Sequence, residues 1–145
     1  MSPYTESKTV TIGAPAADVL IVLLNIADQR EWWPGMFKSE PLETDDEGRV
    51  TKARIGNDAK VAKDEFDVTY AHGDLGYSWS LASKSSMQRS QEGSWQLKDN
   101  GDSTTDVTLT LAIDVSLPLP GFIIKKTVKD TVNGATKGLQ KYLAG

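Results

Sequence analysis

Pro118-Leu119-Pro120-Gly121-Phe122, running into Ile123 through Leu143, is the stretch that decides the fold. Two prolines and a glycine stop a strand, because proline removes a ladder donor and glycine offers no side chain to pack. Beyond them Ile124, Val128, Val132, Ala135, Leu139 and Tyr142 recur at helical spacing. They form one apolar stripe on a helix of about five to six turns. Lys125, Lys126, Lys129, Lys137 and Lys141 fall on its wet face. A stripe of this kind needs a second layer to cover it. The rest of the chain is strand-rich, so the helix is predicted to lie across a curved sheet, an arrangement able to enclose a cavity. Gly134 and Gly138 interrupt the helix, each at a cost of about 1 kcal/mol relative to alanine. Gly138 borders the stripe and is expected to permit a close approach, while Gly134 points towards solvent.

Working outward, Thr104–Val115 reads as the strand before that helix. Val107, Leu109, Leu111, Ile113 and Val115 face one way, and Asp106, Thr108, Thr110 and Asp114 the other. One face is therefore dry and one wet. Further strands are predicted at Met36–Thr44, Arg49–Asn57, Lys60–Ala71, Gly76–Ala82 and Ser86–Lys98, joined by Gly-, Asn- and Asp-rich turns. His72, the only histidine, is expected to be exposed in one of these turns. At the other end, Lys8–Ile12 alternates as a strand does. Pro15 and Asp18 suit a helix start, and Leu20, Leu23, Leu24 and Ala27 continue at helical spacing. A second short helix is predicted from Asp28 through Trp32, closed by Pro34-Gly35. One strand, two short helices, six strands and one long helix make an α+β fold, expected as a single domain over residues 1–145.

The 145 residues are 39% hydrophobic and 25% charged, with a net charge of −4 and no basic patch, which argues against nucleic-acid partners. There is no cysteine, so disulfides, thiolate metal sites and cysteine nucleophiles are excluded. With a single histidine, a catalytic zinc is not expected. The start of the chain does not read as a signal peptide, and the apolar run Val19 to Leu24 is too short to span a membrane, so a cytoplasmic location is expected. No cofactor is expected: phosphate-binding loops, dinucleotide fingerprints and nucleophile elbows do not occur.

Four segments carry a family resemblance. They are Val10 to Pro15 with Asp18-Val19; Ile26-Ala27-Asp28 with Glu31 to Gly35; Glu92 to Leu97; and Pro118 to Phe122. In this order they resemble the START-like (SRPBCC) superfamily and, within it, the polyketide cyclase/dehydrase-like branch. Leu20 departs from the pattern, since many relatives carry an aromatic residue there. The resemblance implies a helix-grip fold, with a seven-stranded antiparallel sheet wrapped around the long C-terminal helix and an apolar pocket between them. Members bind lipids, isoprenoids, polyketides or hormones, and some catalyse cyclisation or dehydration. Fold membership does not choose among these.

Strand alternation then nominates pocket residues. Taking Gly93 and Trp95 as inward places Met87, Arg89, Gln91 and Leu97 on the same face. Phe66, Val68 and Tyr70 share an inward face with Asp64 and Ala62. Tyr77, Trp79 and Leu81 make another such set, as do Ala53, Ile55 and Asn57. From the helix, Ile124, Val128, Thr131 and Ala135 are expected at the pocket, with Thr131 offering a hydroxyl. Trp32, Trp33, Met36 and Phe37 are expected where the short helix meets the sheet, as a gate or as packing. Asn57, Asp64, Arg89 and Gln91 are polar on inward faces, and an Asp64–Arg89 ion pair would relieve the burial of charge. The expected function is binding of a small hydrophobic or amphipathic molecule in the cavity. Two alternatives stay open. In a cyclase or dehydratase, Arg89 would stabilise an enolate while Asp64 or Tyr70 moves a proton. In a partner-binding module the contact would be with another protein.

Overall fold

A computed structural model of the protein describes residues 3–60, 63–85 and 87–144. The elements follow as β1 (Tyr4–Ile12), α1 (Ala16–Leu24), a 3-10 helix (Ile26–Glu31), β2 (Met36–Thr44), β3 (Val50–Asp58), β4 (Lys63–Gly73), β5 (Gly76–Leu81), β6 (Gln88–Asp99), β7 (Thr105–Val115) and α2 (Gly121–Leu143). Seven strands form one antiparallel sheet in the order β1-β7-β6-β5-β4-β3-β2. β2 to β7 make a meander. The α1 and 3-10 segment connects the two edge strands, and α2 packs across β1 and β7. This is the α+β helix-grip architecture. Val61, Ala62 and Ser86, which the sequence assigns to strands, lie outside the described residues.

Alternation in β7 builds the grip. Val107, Leu109 and Leu111 are buried beneath α2, and their neighbours Asp106, Thr108 and Thr110 face the convex side. There a ladder of hydroxyls ties β1 to β7. Ser7 and Thr110 share a hydrogen bond of 3.0 Å, Thr9 and Thr108 one of 2.8 Å, and Thr11 donates to Asp106 at 2.7 Å. α1 forms despite its β-branched Val19, Ile21 and Val22, because Val19 and Leu23 are fully buried and the helix packs on β6. Its end is fixed by Tyr77, whose hydroxyl donates to the Leu23 carbonyl at 2.7 Å and satisfies an acceptor that the helix leaves free.

On α2 the stripe Ile124, Val128, Val132, Ala135 and Leu139 is buried as expected, but Tyr142 is 43% exposed, so the stripe ends one turn early. The two helix glycines both face the turn after the 3-10 helix. A Cβ on Gly138 would strike the Trp32 carbonyl oxygen, so bare backbone lies against backbone there. A Cβ on Gly134 would sit 3.4 Å from Pro34 Cγ, an ordinary contact, and Gly134 is half-buried rather than turned to solvent. His72 also departs from expectation. It lies within β4, half-buried, with Nε2 donating to the Val50 carbonyl at 2.6 Å, because the hairpin turn falls after Gly73 rather than at His72.

The two glycines should therefore respond in opposite senses. Gly138→Ala is expected to lower stability by about 1–3 kcal/mol, since overpacking outweighs the gain in helix propensity. Gly134→Ala is expected to raise stability by up to about 1 kcal/mol. Urea denaturation of the two variants checks both signs.

Candidate functional site

The sheet and α2 meet closely at the C-terminal half of the helix and part at its N-terminal half. The space between them is a cavity of about 120 Å³. β7 walls it with Leu111, Ile113 and Val115, and the following loop adds Leu117 and Leu119. α2 contributes Ile124, Thr127, Val128 and Thr131. Opposite stand Trp33, Phe66 and Met87. Pro34 and Asp58, both exposed, mark the rim. The helix hydroxyls add little polarity. Thr127 donates to the Ile123 carbonyl at 2.8 Å and Thr131 to the Thr127 carbonyl at 2.8 Å, so the donor expected from Thr131 is spent on the helix itself.

Polarity is concentrated on the sheet side, in a directed chain of hydrogen bonds. Trp79 Nε1 donates to Gln91 Oε1 at 2.8 Å, and Gln91 Nε2 donates to Gln88 Oε1 at 2.7 Å. Gln88 Nε2 then donates to Asp64 Oδ2 at 3.0 Å, where Ser85 Oγ also donates at 2.6 Å. An indole can only donate and a carboxylate can only accept, so the two ends fix the orientation of both amides. Gly93 makes the chain possible: a Cβ there would collide with the Trp79 ring, and its bare backbone seats the indole within reach of Gln91. Both glutamines are buried, at 7% exposure each.

A second cavity, about 20 Å³, lies deeper along the sheet. Trp33, Asn57 and Gln91 line both spaces and so form the wall between them. Gln29, Met36, Ile55, Val68, Tyr70 and Trp79 complete it. Burial holds the Tyr70 hydroxyl well above the usual tyrosine range. Tyr77, which is more deeply buried and lies beside Tyr70, is likewise held well above that range, by burial and then by that neighbour.

The sequence-nominated residues separate accordingly. Asn57, Asp64, Phe66, Met87, Gln91, Ile124, Val128 and Thr131 line the outer cavity. Val68, Tyr70 and Trp79 line the inner one. Ala135 is buried but borders neither, because α2 is already in contact with its neighbours there. Leu81 lines a surface hollow beside Lys84, Arg89 and Glu92. Ala62 lies outside the described residues.

Arg89 is the main correction. A register shift between Gln88 and Ser90 inserts an extra residue into β6 and inverts the alternation. Gln88 therefore turns inward, and Arg89 turns out to 50% side-chain exposure. Arg89 Nη1 donates to the Val115 carbonyl at 2.9 Å and to Asp114 Oδ1 at 3.4 Å, so the expected Asp64–Arg89 pair does not form. Trp32 and Phe37 do not gate the cavity. Trp32 packs edge-on against Trp95, with ring centroids 5.7 Å apart, and Phe37 is exposed beside Gly56. Sequence reading missed Gln88, hidden by the bulge, and Gln29, whose 3-10 helix has no period that marks an inward face.

The family model described as "Polyketide cyclase / dehydrase and lipid transport" matches residues 5–144. The chain belongs to this family. Among solved structures, a START superfamily protein from Mycobacterium smegmatis superposes with a TM-score of 0.88 at 20% identity, covering 97% of both chains. The Zhui aromatase/cyclase from a Streptomyces species gives 0.77 at 15% identity, covering 97% of this chain and 91% of its own. A STAR-related lipid transfer protein fragment from Xanthomonas axonopodis gives 0.70 at 23% identity, covering 97% and 86%. No curated protein matches in sequence. At these identities the structural likeness carries the fold alone.

The directed chain makes a testable difference between two residues the sequence placed on one face. Gln91→Leu leaves the Trp79 N–H and the Gln88 carbonyl oxygen unpaired and is expected to cost about 2–4 kcal/mol. Arg89→Ala removes an exposed side chain's bonds to Asp114 and the Val115 carbonyl and is expected to cost less than about 1 kcal/mol. Chemical denaturation of the two variants measures both.

Proposed function

We propose that this family member holds a small hydrophobic or amphipathic molecule, lipid-, isoprenoid- or polyketide-like, between the sheet and the N-terminal half of α2. The supporting observation is the outer cavity itself: a largely apolar enclosure whose polarity is concentrated on the sheet side, where Gln91, Gln88 and Asp64 of the hydrogen-bonded chain line it. Apolar burial at about 25 cal/mol per Å² would supply the affinity, and that polar side would orient the molecule. Among the described residues the ionisable side chains lining the cavity are Asp58 and Asp64, with no lysine or arginine. An anionic headgroup would meet two carboxylates and no counter-charge, so the reading favours neutral ligands or ligands with a hydrogen-bond donor at the polar end.

The catalytic alternative loses its cation, because Arg89 lies on the outer surface and pairs with Asp114. Stabilisation of an enolate would then fall to neutral donors. Among the described residues no helix is long and apolar enough to cross a membrane.

Fluorescence of N-phenylnaphthylamine, a neutral apolar dye, tests the binding reading. The dye is expected to brighten saturably on the wild-type protein. Thr131→Trp, which projects an indole into the cavity from a half-buried helix position, is expected to weaken binding at least about tenfold while the thermal midpoint stays close to wild type. Unchanged dye affinity in a folded Thr131→Trp protein would contradict the assignment.

A further inference from the structure

The inner cavity is small, polar and short of hydrogen-bond partners. Gln29 reaches it from the 3-10 helix, and at 4% exposure its side-chain amide has no protein partner among the described residues. Asn57 reaches it from β3, and its Oδ1 is buried and unpaired. Tyr70 reaches it from β4, and its hydroxyl has no hydrogen bond among the described residues. The Tyr70 ring is held edge-on to Tyr77 at 5.5 Å and stacked on His72 at 6.3 Å. Gln91, the fourth polar group, already uses its oxygen on Trp79 and one N–H on Gln88. Buried amides are normally satisfied, so the orphaned Asn57 Oδ1, with the Gln29 amide and the Tyr70 hydroxyl lining the same space, marks a place suited to a polar guest. The volume of about 20 Å³ exceeds the roughly 10–15 Å³ that one oxygen-sized group requires.

We propose that this inner cavity recognises a single neutral oxygen, a carbonyl or hydroxyl, at the leading end of a ligand whose apolar body fills the outer cavity, with Gln29, Asn57 and Tyr70 as its hydrogen-bonding partners. The inference rests on the ligand-binding reading above and adds the chemical class of the buried end. The two amide N–H groups and the phenol O–H donate to a carbonyl, and the amide oxygens accept from a hydroxyl. A carboxylate is disfavoured, because among the described residues no lysine or arginine lines this cavity and a buried unpaired charge is far costlier than a neutral dipole. Trp33, Asn57 and Gln91, the side chains common to both cavities, must part for the ligand end to reach the site.

Three naphthalenes that differ only in one substituent test this on the full chain: ethylnaphthalene, acetonaphthone and naphthoate, with affinities from isothermal titration calorimetry. Acetonaphthone is expected to bind about three- to tenfold tighter than ethylnaphthalene, the worth of a hydrogen bond to an otherwise unsatisfied site, and naphthoate to bind weakest. Tyr70→Phe and Gln29→Leu should each remove most of the ketone's advantage and leave ethylnaphthalene within about threefold of its wild-type affinity. Tyr70→Phe deletes a single oxygen and keeps the ring packing, so it remains informative if Gln29→Leu does not fold. A ketone no tighter than the hydrocarbon overturns the inference while leaving cavity binding intact. So does a ketone advantage that survives Tyr70→Phe and any folded Gln29→Leu, the result expected if the inner groups serve structural water alone. A protein that binds none of the three compounds fails the ligand-binding reading itself, and this inference with it.

Discussion

The backbone contact between Gly138 of α2 and the Trp32 carbonyl sets the geometry on which everything else depends. A helix lying across a curved sheet cannot touch it along its whole length. Here contact is made at the C-terminal half, where Val132, Ala135, Thr136 and Leu139 are buried and border neither of the two cavities. The N-terminal half, from Ile124 to Thr131, is left standing off β7 with a cavity beneath it. The same contact positions the Trp32–Pro34 turn. Trp33 thereby becomes part of the wall between the outer and inner spaces, and Pro34 part of the outer rim. One residue without a side chain thus links helix position, cavity shape and the partition inside it.

Polar groups are distributed by the same logic. Asp64 and Asp58 sit at the outer cavity, towards water, the neutral Gln29 and Tyr70 sit deeper, and Asn57 lies between the two spaces. The amide chain through Gln88 and Gln91 runs between them and is locked in direction by an indole at one end and a carboxylate at the other. Polarity inside the grip is therefore preorganised rather than merely present, which favours recognition of a defined ligand orientation.

Much of this was legible in the sequence because it rests on periodicity. The alternation of Val107 to Val115 and the stripe from Ile124 to Leu139 fix which faces are dry, and turn chemistry delimits the strands. The resemblance in four ordered segments added the sheet's closure around the helix. Periodicity fails where the count changes. The register shift at Gln88–Ser90 exchanged the faces of Gln88 and Arg89, and with them the identity of the polar groups in the cavity. It fails again in the 3-10 helix, where Gln29 is buried without a repeating pattern to announce it. Gly134 shows a third limit. A helical wheel turns it outward, but the wheel does not include Pro34, which arrives from a distant loop.

The central claim is that ligand lies between β7 and the N-terminal half of α2. Methyl NMR of the protein titrated with N-phenylnaphthylamine tests it most directly. Saturable shifts are expected at Ile113, Val115, Leu119, Ile124 and Val128, with the exposed Ile21 and Leu42 unmoved. Shifts confined to Ile21, Leu42 or other surface methyls, or no saturable shifts at all, would contradict it.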